Sequence, residues 1–239
     1  MSFSPRHTMV AMMGLTMVLT ACHDSTDPEI VDSPARAYGI VGFQQTLPVG
    51  TPSPDSLAVV VYGASGDLLP GTVVQWTIVS GRGRLSAATS TTNAQGIARI
   101  GFTTDTLVGN TVVRALAGTS VAVDFEEQAV AGAPSRLVAL QPAADSLMAG
   151  EVFTAPMVHV VDRYGNSVSG VTLQVAVRDA VEGDALAESM VTTGADGVAS
   201  MTFTPTMVPG WRFISFTTPD GLTISYAFDV LMPESKRRG

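Results

Sequence analysis

The sequence has 239 residues, of which 46% are hydrophobic and 14% are charged, and its formal net charge is −8. This share of apolar residues is enough to build packed cores, which excludes an intrinsically disordered chain. An acidic chain without a basic face also argues against nucleic-acid binding, because affinity for phosphate comes chiefly from Lys and Arg. The single cysteine excludes an intramolecular disulfide and a cysteine-based zinc site.

The first 21 residues are predicted to be a secretory signal. Arg6 precedes an apolar run from Met9 to Leu19, which is too short to span a bilayer as a mature helix. The run ends in Leu19-Thr20-Ala21-Cys22, which resembles the lipobox of bacterial lipoproteins. The resemblance implies cleavage before Cys22, a diacylglyceryl group on its sulfur and acylation of the new N-terminus, so that more than one acyl chain anchors the protein. An ordinary signal peptide with an incidental cysteine is the alternative.

The segment from Cys22 to Arg36 is predicted to be a lipidated cysteine followed by a flexible tether. It is polar, acidic and Pro-containing, and it shows no apolar periodicity. The residue after the cysteine is His23, whereas the inner-membrane retention signal familiar from enterobacterial lipoproteins is Asp. We therefore expect a location in the cell envelope at the outer membrane of a Gram-negative bacterium.

The remainder of the chain contains one pattern twice. Val59–Trp76 has the features of a strand, a turn and a strand, and Val158–Val175 repeats them. The matched pairs are Gly66 with Gly165, Gly71 with Gly170, Gln75 with Gln174, and the triplet Ala98, Ile100, Phe102 with Ala199, Met201, Phe203. Self-similarity of this kind indicates a tandem array.

Short strands divided by Gly- and Pro-rich turns predict an all-β fold with two tandem Ig-like β-sandwiches. The expected divisions are domain one over 37–130, a linker over 131–134, domain two over 135–232 and a short basic tail over 233–239. Strands of domain one are predicted at Tyr38–Thr46, Leu57–Tyr62, Thr72–Val79, Ile97–Thr103, Thr111–Ala117 and Ser120–Glu126. Strands of domain two are predicted at Arg136–Gln141, Val152–Val161, Val171–Arg178, around Ala199–Phe203, Trp211–Thr217 and Leu222–Leu231.

Both copies carry motifs of a known family. Domain two has Asp162-Arg163-Tyr164-Gly165-Asn166 and then Val168-Ser169-Gly170, and domain one has Val74-Gln75-Trp76 and Asn93–Ala98. This pattern resembles the bacterial immunoglobulin-like domain of group 1, familiar from invasin and intimin. The resemblance implies secreted or surface sandwiches that serve as spacers and adhesion stalks.

No motif predicts catalysis. The sequence lacks a G-x-S-x-G elbow, a phosphate-binding G-x-x-x-x-G-K-[ST] loop and a G-x-G-x-x-G segment opening a helix. Of the three histidines, only His159 falls within a predicted domain, where it is expected on the solvent side or rim of a strand. We therefore predict a protein that is not an enzyme and needs no cofactor.

The best candidates for a ligand site are acidic residues and one tryptophan of domain two. Asp179, Glu182, Asp184 and Glu188 offer the oxygen ligands that calcium prefers, although a solvated acidic loop is favoured because their spacing does not match an EF-hand. Asp162 and Asn166 are expected to hold a turn through side-chain to backbone bonds rather than bind metal.

Trp76 and Trp211 are both expected to pack in a core. For Trp211, which begins a strand, an exposed aromatic platform for a sugar or a protein is the alternative. The sequence thus favours a non-enzymatic, lipid-anchored envelope protein that acts as a stalk or an adhesion module toward an unknown protein or glycan. The alternative is a lipoprotein that binds a small ligand or glycan at Trp211 and the loop 181–188.

Overall fold

A computed structural model describes residues 32–140, 146–154 and 158–233. The predicted signal, the lipobox, Cys22 and most of the predicted tail lie outside the described residues. Every regular element within them is a β-strand. In the part of the chain that the structure describes, no helix is long and apolar enough to cross a membrane.

The strands fall into two groups with the same arrangement. The first group comprises β1 (Pro34–Val41), β2 (Thr46–Pro48), β3 (Leu57–Gly63), β4 (Val73–Ser80), β5 (Gly83–Leu85), β6 (Thr89–Thr91), β7 (Ile97–Ile100), β8 (Phe102–Thr104), β9 (Gly109–Ala117) and β10 (Val121–Val130). The second comprises β11 (Arg136–Ala139), β12 (Ser146–Met148), β13 (Phe153–Thr154), β14 (Val158–Val161), β15 (Thr172–Arg178), β16 (Ala185–Leu186), β17 (Met190–Thr192), β18 (Val198–Ala199), β19 (Thr202–Thr204), β20 (Gly210–Thr217) and β21 (Thr223–Leu231). We call them the first and the second sandwich.

Each sandwich contains a three-stranded and a five-stranded sheet with corresponding strand orders. In the first sandwich the orders are β1-β3-β7 and β2-β10-β9-β4-β6; in the second they are β11-β14-β18 and β12-β21-β20-β15-β17. A smaller sheet completes each one, β5-β8 in the first and β13-β19-β16 in the second. The prediction of an all-β chain with two tandem Ig-like sandwiches is confirmed.

Alternating side chains from the sheets of each sandwich fill a core of its own. Trp76 is 2% exposed and lies 5.9 Å from the Phe125 ring, as measured between centroids. The predicted triplets, Ala98 with Ile100 and Phe102 and Ala199 with Met201 and Phe203, are all buried. Two separate hydrophobic clusters result, so each sandwich has the core that its strand alternation predicts.

Matched glycines adopt matched conformations in the two sandwiches. Gly66 and Gly165 both have a φ of 91°, and Gly71 and Gly170 both have a φ of 73°. A side chain disfavours this left-handed region, so glycine at both positions of both turns preserves the same strand connection. The repeat that the sequence indicates is therefore a repeat of backbone geometry.

Several predicted boundaries differ from the structure. The strand expected at Tyr38–Thr46 ends at Val41, because Gly42 and Gln44 have positive φ values of 89° and 51° and turn the chain. The strand expected at Ile97–Thr103 divides at Gly101. The expected tether is shorter, since its last residues from Pro34 onward pair with β3.

Candidate functional site

Trp211 lies on the outer surface of the second sandwich. Its residue is 56% exposed, and on β20 it stands opposite Asp229 of β21. The expectation that Trp211 packs in the core is wrong. Arg212, Ile214 and Phe216 take the inward positions of β20, so strand alternation places Trp211 outside.

A buried ion pair determines which side chains of β20 face the core. The Arg212 Nε donates to Asp184 Oδ2 at 2.6 Å, and the two side chains are only 3% and 1% exposed. Asp184 also accepts hydrogen bonds from the backbone N–H groups of Thr206 and Val181, each at 2.8 Å. Burial raises the pKa of Asp184, but the bonds from Thr206, Val181 and Arg212 outweigh it and hold that pKa below its ordinary value.

The same guanidinium supports the surface around Trp211. Its Nη1 donates to the Trp211 carbonyl oxygen at 3.0 Å, and its Nη2 donates to the Val208 carbonyl oxygen at 3.2 Å. Val208, whose carbonyl the guanidinium holds, and Met207, which precedes it in the chain, are exposed at 44% and 46%. We call Met207, Val208 and Trp211 the Trp211 patch.

The predicted acidic set does not gather around one point. The Asp184 side chain is buried in its ion pair with Arg212, so the expectation of a solvated acidic loop is wrong for this residue. Asp179 is exposed, with the Arg178 Nε 3.9 Å from its carboxylate, and Glu182 and Glu188 are exposed as well. Across the described ranges, no group of three or more His, Cys, Asp or Glu residues is placed to hold a metal ion.

Asp162 and Asn166 hold their turn as predicted. Asp162 Oδ1 accepts the backbone N–H groups of Tyr164 at 2.8 Å and of Asn166 at 2.9 Å. The sequence did not indicate the second contact of Asn166, which crosses to the first sandwich. Its Nδ2 donates to the Thr106 carbonyl oxygen at 2.8 Å, and its Oδ1 accepts the Val108 N–H at 3.3 Å.

His159 is partly exposed on β14, as expected for a rim residue. Its Nε2 lies 2.8 Å from the Ser167 hydroxyl, within hydrogen-bonding distance. This pair joins the strand to the following turn.

The arrangement of both sandwiches is similar to that of bacterial adhesins of known structure. The Escherichia coli adhesin FdeC matches with a TM-score of 0.55 and 16% identity, over 84% of this chain and 65% of that chain. The likeness is one of fold, namely Ig-like β-sandwiches in tandem. InvD of Yersinia pseudotuberculosis matches with a TM-score of 0.46 and 14% identity, over 84% of this chain and 58% of that chain.

The D0-D1 domain of intimin matches with a TM-score of 0.31 and 21% identity, over 83% of this chain and 94% of that chain. At such identities the bacterial Ig-like likeness describes the fold alone. No protein-family model and no curated protein matches the sequence.

A buried carboxylate in the first Ig-like sandwich was not anticipated from the sequence. Glu127 on β10 is 2% exposed, and neither carboxylate oxygen has a hydrogen-bond partner among the described residues. Gln45 lies close enough to lower the pKa of Glu127, but it forms no hydrogen bond with the Glu127 carboxylate. Burial dominates and raises that pKa to about 7. Alternation along β10 placed this residue inward, and that was the only available signal.

Proposed function

We propose that this protein is a non-enzymatic interaction module, anchored by lipid in the bacterial cell envelope, that binds a partner through the Trp211 patch. The observation that carries the proposal is the exposure of three large apolar side chains on a support fixed by a buried ion pair. Exposed apolar patches on rigid elements are characteristic of interaction sites. Trp is also among the residues that contribute most to binding energy at protein interfaces.

The first sandwich has no counterpart of Trp211, although its matching loop also exposes Leu107 and Val108, at 46% and 51%, so the tryptophan is what favours a specific role for the second sandwich. Gly109 and Gly210 occupy matching places at the start of β9 and β20, so Asn110 corresponds to Trp211. A polar residue at that position therefore serves the fold equally well. The tryptophan is not needed for packing, and an apolar residue kept in water is better explained by a partner.

The fold and its neighbours support an adhesive role. FdeC is described as an adhesin, and its likeness to this chain covers both sandwiches. Tandem modules would hold the Trp211 patch at a distance from the anchoring surface. We propose the divisions 34–130, 131–134 and 135–232 for the two modules and their linker, with the first module beginning at β1 rather than at residue 37.

The proposed anchor is Cys22 within the lipobox Leu19-Thr20-Ala21-Cys22. Full-length protein and the Cys22→Ala variant would be expressed in a Gram-negative bacterium with radioactive palmitate, and the envelope would then be fractionated. We expect label and outer-membrane location for the wild type only. Equal behaviour of the two proteins would eliminate the lipid anchor.

The binding role is tested with Trp211→Asn, which introduces the residue of the first sandwich. Wild type and variant would be titrated against epithelial cells, extracellular-matrix proteins and immobilised glycans. Loss of a central aromatic anchor is expected to weaken binding by about 30-fold, corresponding to about 2 kcal/mol. Val73→Asn is the matched control, because Val73 is 54% exposed in the first sandwich. Undiminished binding by Trp211→Asn would refute the site.

A second candidate function is glycan binding. Trp211 stands opposite Asp229, a partly exposed residue, so a ring and an acceptor for hydroxyl groups occupy neighbouring strand positions. An indole face can stack on a sugar ring while a carboxylate accepts bonds from its hydroxyls. Saturable binding to defined glycans that requires both Trp211 and Asp229 would favour this function over protein recognition.

A further inference from the structure

The contact between the two sandwiches is built from three segments that meet near the linker. They are the loop containing Thr106 and Val108, the linker at Gly132, and the turn from Asp162 to Asn166. The turn belongs to the second sandwich and the loop to the first. Hydrogen bonds from one short turn therefore tie both the linker and the neighbouring module.

All four hydrogen-bonding places of the Asp162 carboxylate are in use. Besides the two backbone N–H groups of its own turn, Oδ2 accepts Asn166 Nδ2 at 2.9 Å and the Gly132 N–H at 3.0 Å. These bonds let a buried carboxylate remain ionised. Burial raises the pKa of Asp162, but the hydrogen bonds outweigh it and hold that pKa below its ordinary value.

Asn166 is fully engaged as well, and in one orientation only. One Nδ2 hydrogen is directed to the Thr106 carbonyl and the other to Asp162, while Oδ1 receives the Val108 N–H. Rotating the carboxamide by half a turn would set Oδ1 against two acceptors and Nδ2 against a donor. The residue is 8% exposed, so water would not readily replace the lost bonds.

Tyr164 provides a further contact beside this one. A Cβ placed on Gly50 would lie 2.4 Å from the Tyr164 hydroxyl oxygen, so the ring closely approaches the turn after β2. Gly50 has a φ of 68°, and its N–H donates to the Asp105 carbonyl oxygen. The second sandwich thus touches the first at two loops in addition to the covalent linker.

We propose that Asn166 locks the two sandwiches in one relative orientation, so that they move as a single body rather than as hinged modules. Two loops and a linker define three points of attachment, which is the number needed to fix one body on another. The directional carboxamide bonds supply the specificity, because small rotations at the joint would break them. Removal of this one side chain should therefore release the joint while leaving both cores intact.

The equivalent residue of the first sandwich offers a matched control. Gly66 and Gly165 correspond, so Asp67 occupies the place of Asn166. Asp67 is exposed and lies in the turn of the first sandwich whose Ala64 N–H donates to Asp32. Asp67→Asn should leave the joint unchanged, whereas Asn166→Asp should open it, since a carboxylate would face the Thr106 carbonyl and the Asp162 carboxylate.

The test measures the distance between two spin labels, one on each sandwich, by pulsed electron paramagnetic resonance. The full chain with Cys22→Ala has no other cysteine, so labels can be placed at Thr77→Cys and Ala176→Cys, both exposed strand positions. We expect one narrow distance peak for this background and for Asp67→Asn, and a broad distribution for Asn166→Asp. Asn166→Ala serves as a second variant if the aspartate prevents folding.

A broad distribution in the unsubstituted joint would overturn the lock, as would narrow peaks in both Asn166 variants. Circular dichroism establishes whether each variant retains its strands. The inference does not rest on the proposed binding role, because no partner is needed for the measurement. Loss of binding in Trp211→Asn and loss of orientation in Asn166→Asp can therefore be observed separately.

Discussion

The two sandwiches place an aspartate and a glycine in exchanged positions at the same contact. Arg36 pairs with Tyr62 across the strands of the first sandwich, as Arg136 pairs with Val161 in the second. When the two copies are aligned on these pairs, Asp32 corresponds to Gly132 and Gly63 corresponds to Asp162. In the first sandwich the Asp32 carboxylate accepts the Ala64 N–H at 2.8 Å. In the second, Asp162 accepts the Gly132 N–H at 3.0 Å. The contact between the chain entering the sandwich and this turn needs a carboxylate, and either segment can supply it.

The glycine of each pair leaves room for the aspartate of the other segment. A Cβ on Gly63 would lie only 1.8 Å from Asp32 Oδ2. Comparing the two copies position by position would hide this relationship, since each position alone appears to have changed arbitrarily. What the copies share is an interaction rather than a residue.

A second difference between the sandwiches concerns the loop that follows β4 in the first and β15 in the second. In the first sandwich, Thr111 holds this loop by accepting the Arg82 N–H at 3.2 Å and by donating to the Arg82 carbonyl. In the second, Arg212 occupies the matching place and pairs with Asp184. A hydroxyl suffices for the tight Gly-rich turn, whereas the longer loop of the second sandwich is held by a buried ion pair.

The largest effect is expected when this difference is removed by Arg212→Thr. The substitution leaves Asp184 buried without its cation, which should cost about 3–5 kcal/mol in the free energy of unfolding. Urea denaturation at neutral pH measures it. The pKa of Asp184 is lowered in the folded state, so the stability it contributes is present above the unfolded pKa and is lost as the pH falls through the folded pKa. The difference between variant and wild type should shrink in acid.

Arg114→Thr is the control for that prediction. Arg114 and Asp124 form an ion pair at 2.7 Å, with side chains 45% and 41% exposed. Water screens such a pair, and its loss should cost about 1 kcal/mol or less. Similar losses for the two variants would show that burial does not decide the strength of the Arg212 pair.

A smaller effect is expected for Glu127→Gln. Glu127 stands opposite Thr111 on the neighbouring strand, and Phe228 stands opposite Arg212 in the same way. Because Thr111 and Arg212 correspond, the first sandwich has a carboxylate where the second has a core phenylalanine. Because the folded pKa is raised to about 7 from 4.5, the folded state holds the proton longer and wild-type stability should fall as the pH rises between these values.

Replacing Glu127 by an uncharged residue should remove most of this pH dependence and raise stability at pH 8 by about 2–3 kcal/mol. Thermal unfolding at pH 5 and pH 8 measures the difference. Glu126→Gln on the exposed face of β10 is the control and should leave the pH dependence intact. A variant of Glu127 that is no more stable than wild type at pH 8 would show that the carboxylate is solvated.

The smallest effect is expected from exchanging the aspartate and glycine of the first sandwich. Asp32→Gly and Gly63→Asp should each lower the melting temperature slightly, the first by losing the carboxylate and the second by placing two carboxylates together. The double variant reproduces the arrangement of the second sandwich and should recover most of the loss. Differential scanning calorimetry would record it, and additive losses would mean that the contact is not exchangeable.

Predictions from the sequence succeeded where local chemistry decides the structure. Val74, Trp76 and Ile78 alternate in a way that only one face of a strand satisfies, and Trp76 is buried as expected. The turn of Asp162 and Asn166 was also predicted, because short polar side chains bond the backbone within a few residues.

Predictions failed where the outcome depends on a distant segment. Hydropathy would place Trp211 inward and Arg212 outward, and the reverse occurs because Asp184, separated by 28 residues, supplies a buried anion. The bond of Asn166 to Thr106 spans 60 residues and belongs to a joint between modules, which no local pattern reveals. For Glu127, strand alternation predicts that the side chain points inward, but it does not predict that the carboxylate lacks a hydrogen-bond partner.

By itself the sequence determined the all-β class, the repeat and the places where the chain turns. These follow from side-chain alternation and from glycine conformations, which act over a few residues. Tertiary structure alone decided which residue of each strand faces the core when a charge can be paired, and how one sandwich is held against the next. Those choices depend on partners brought together by folding, and their energies come from burial and direction of polar contacts, which no linear pattern encodes.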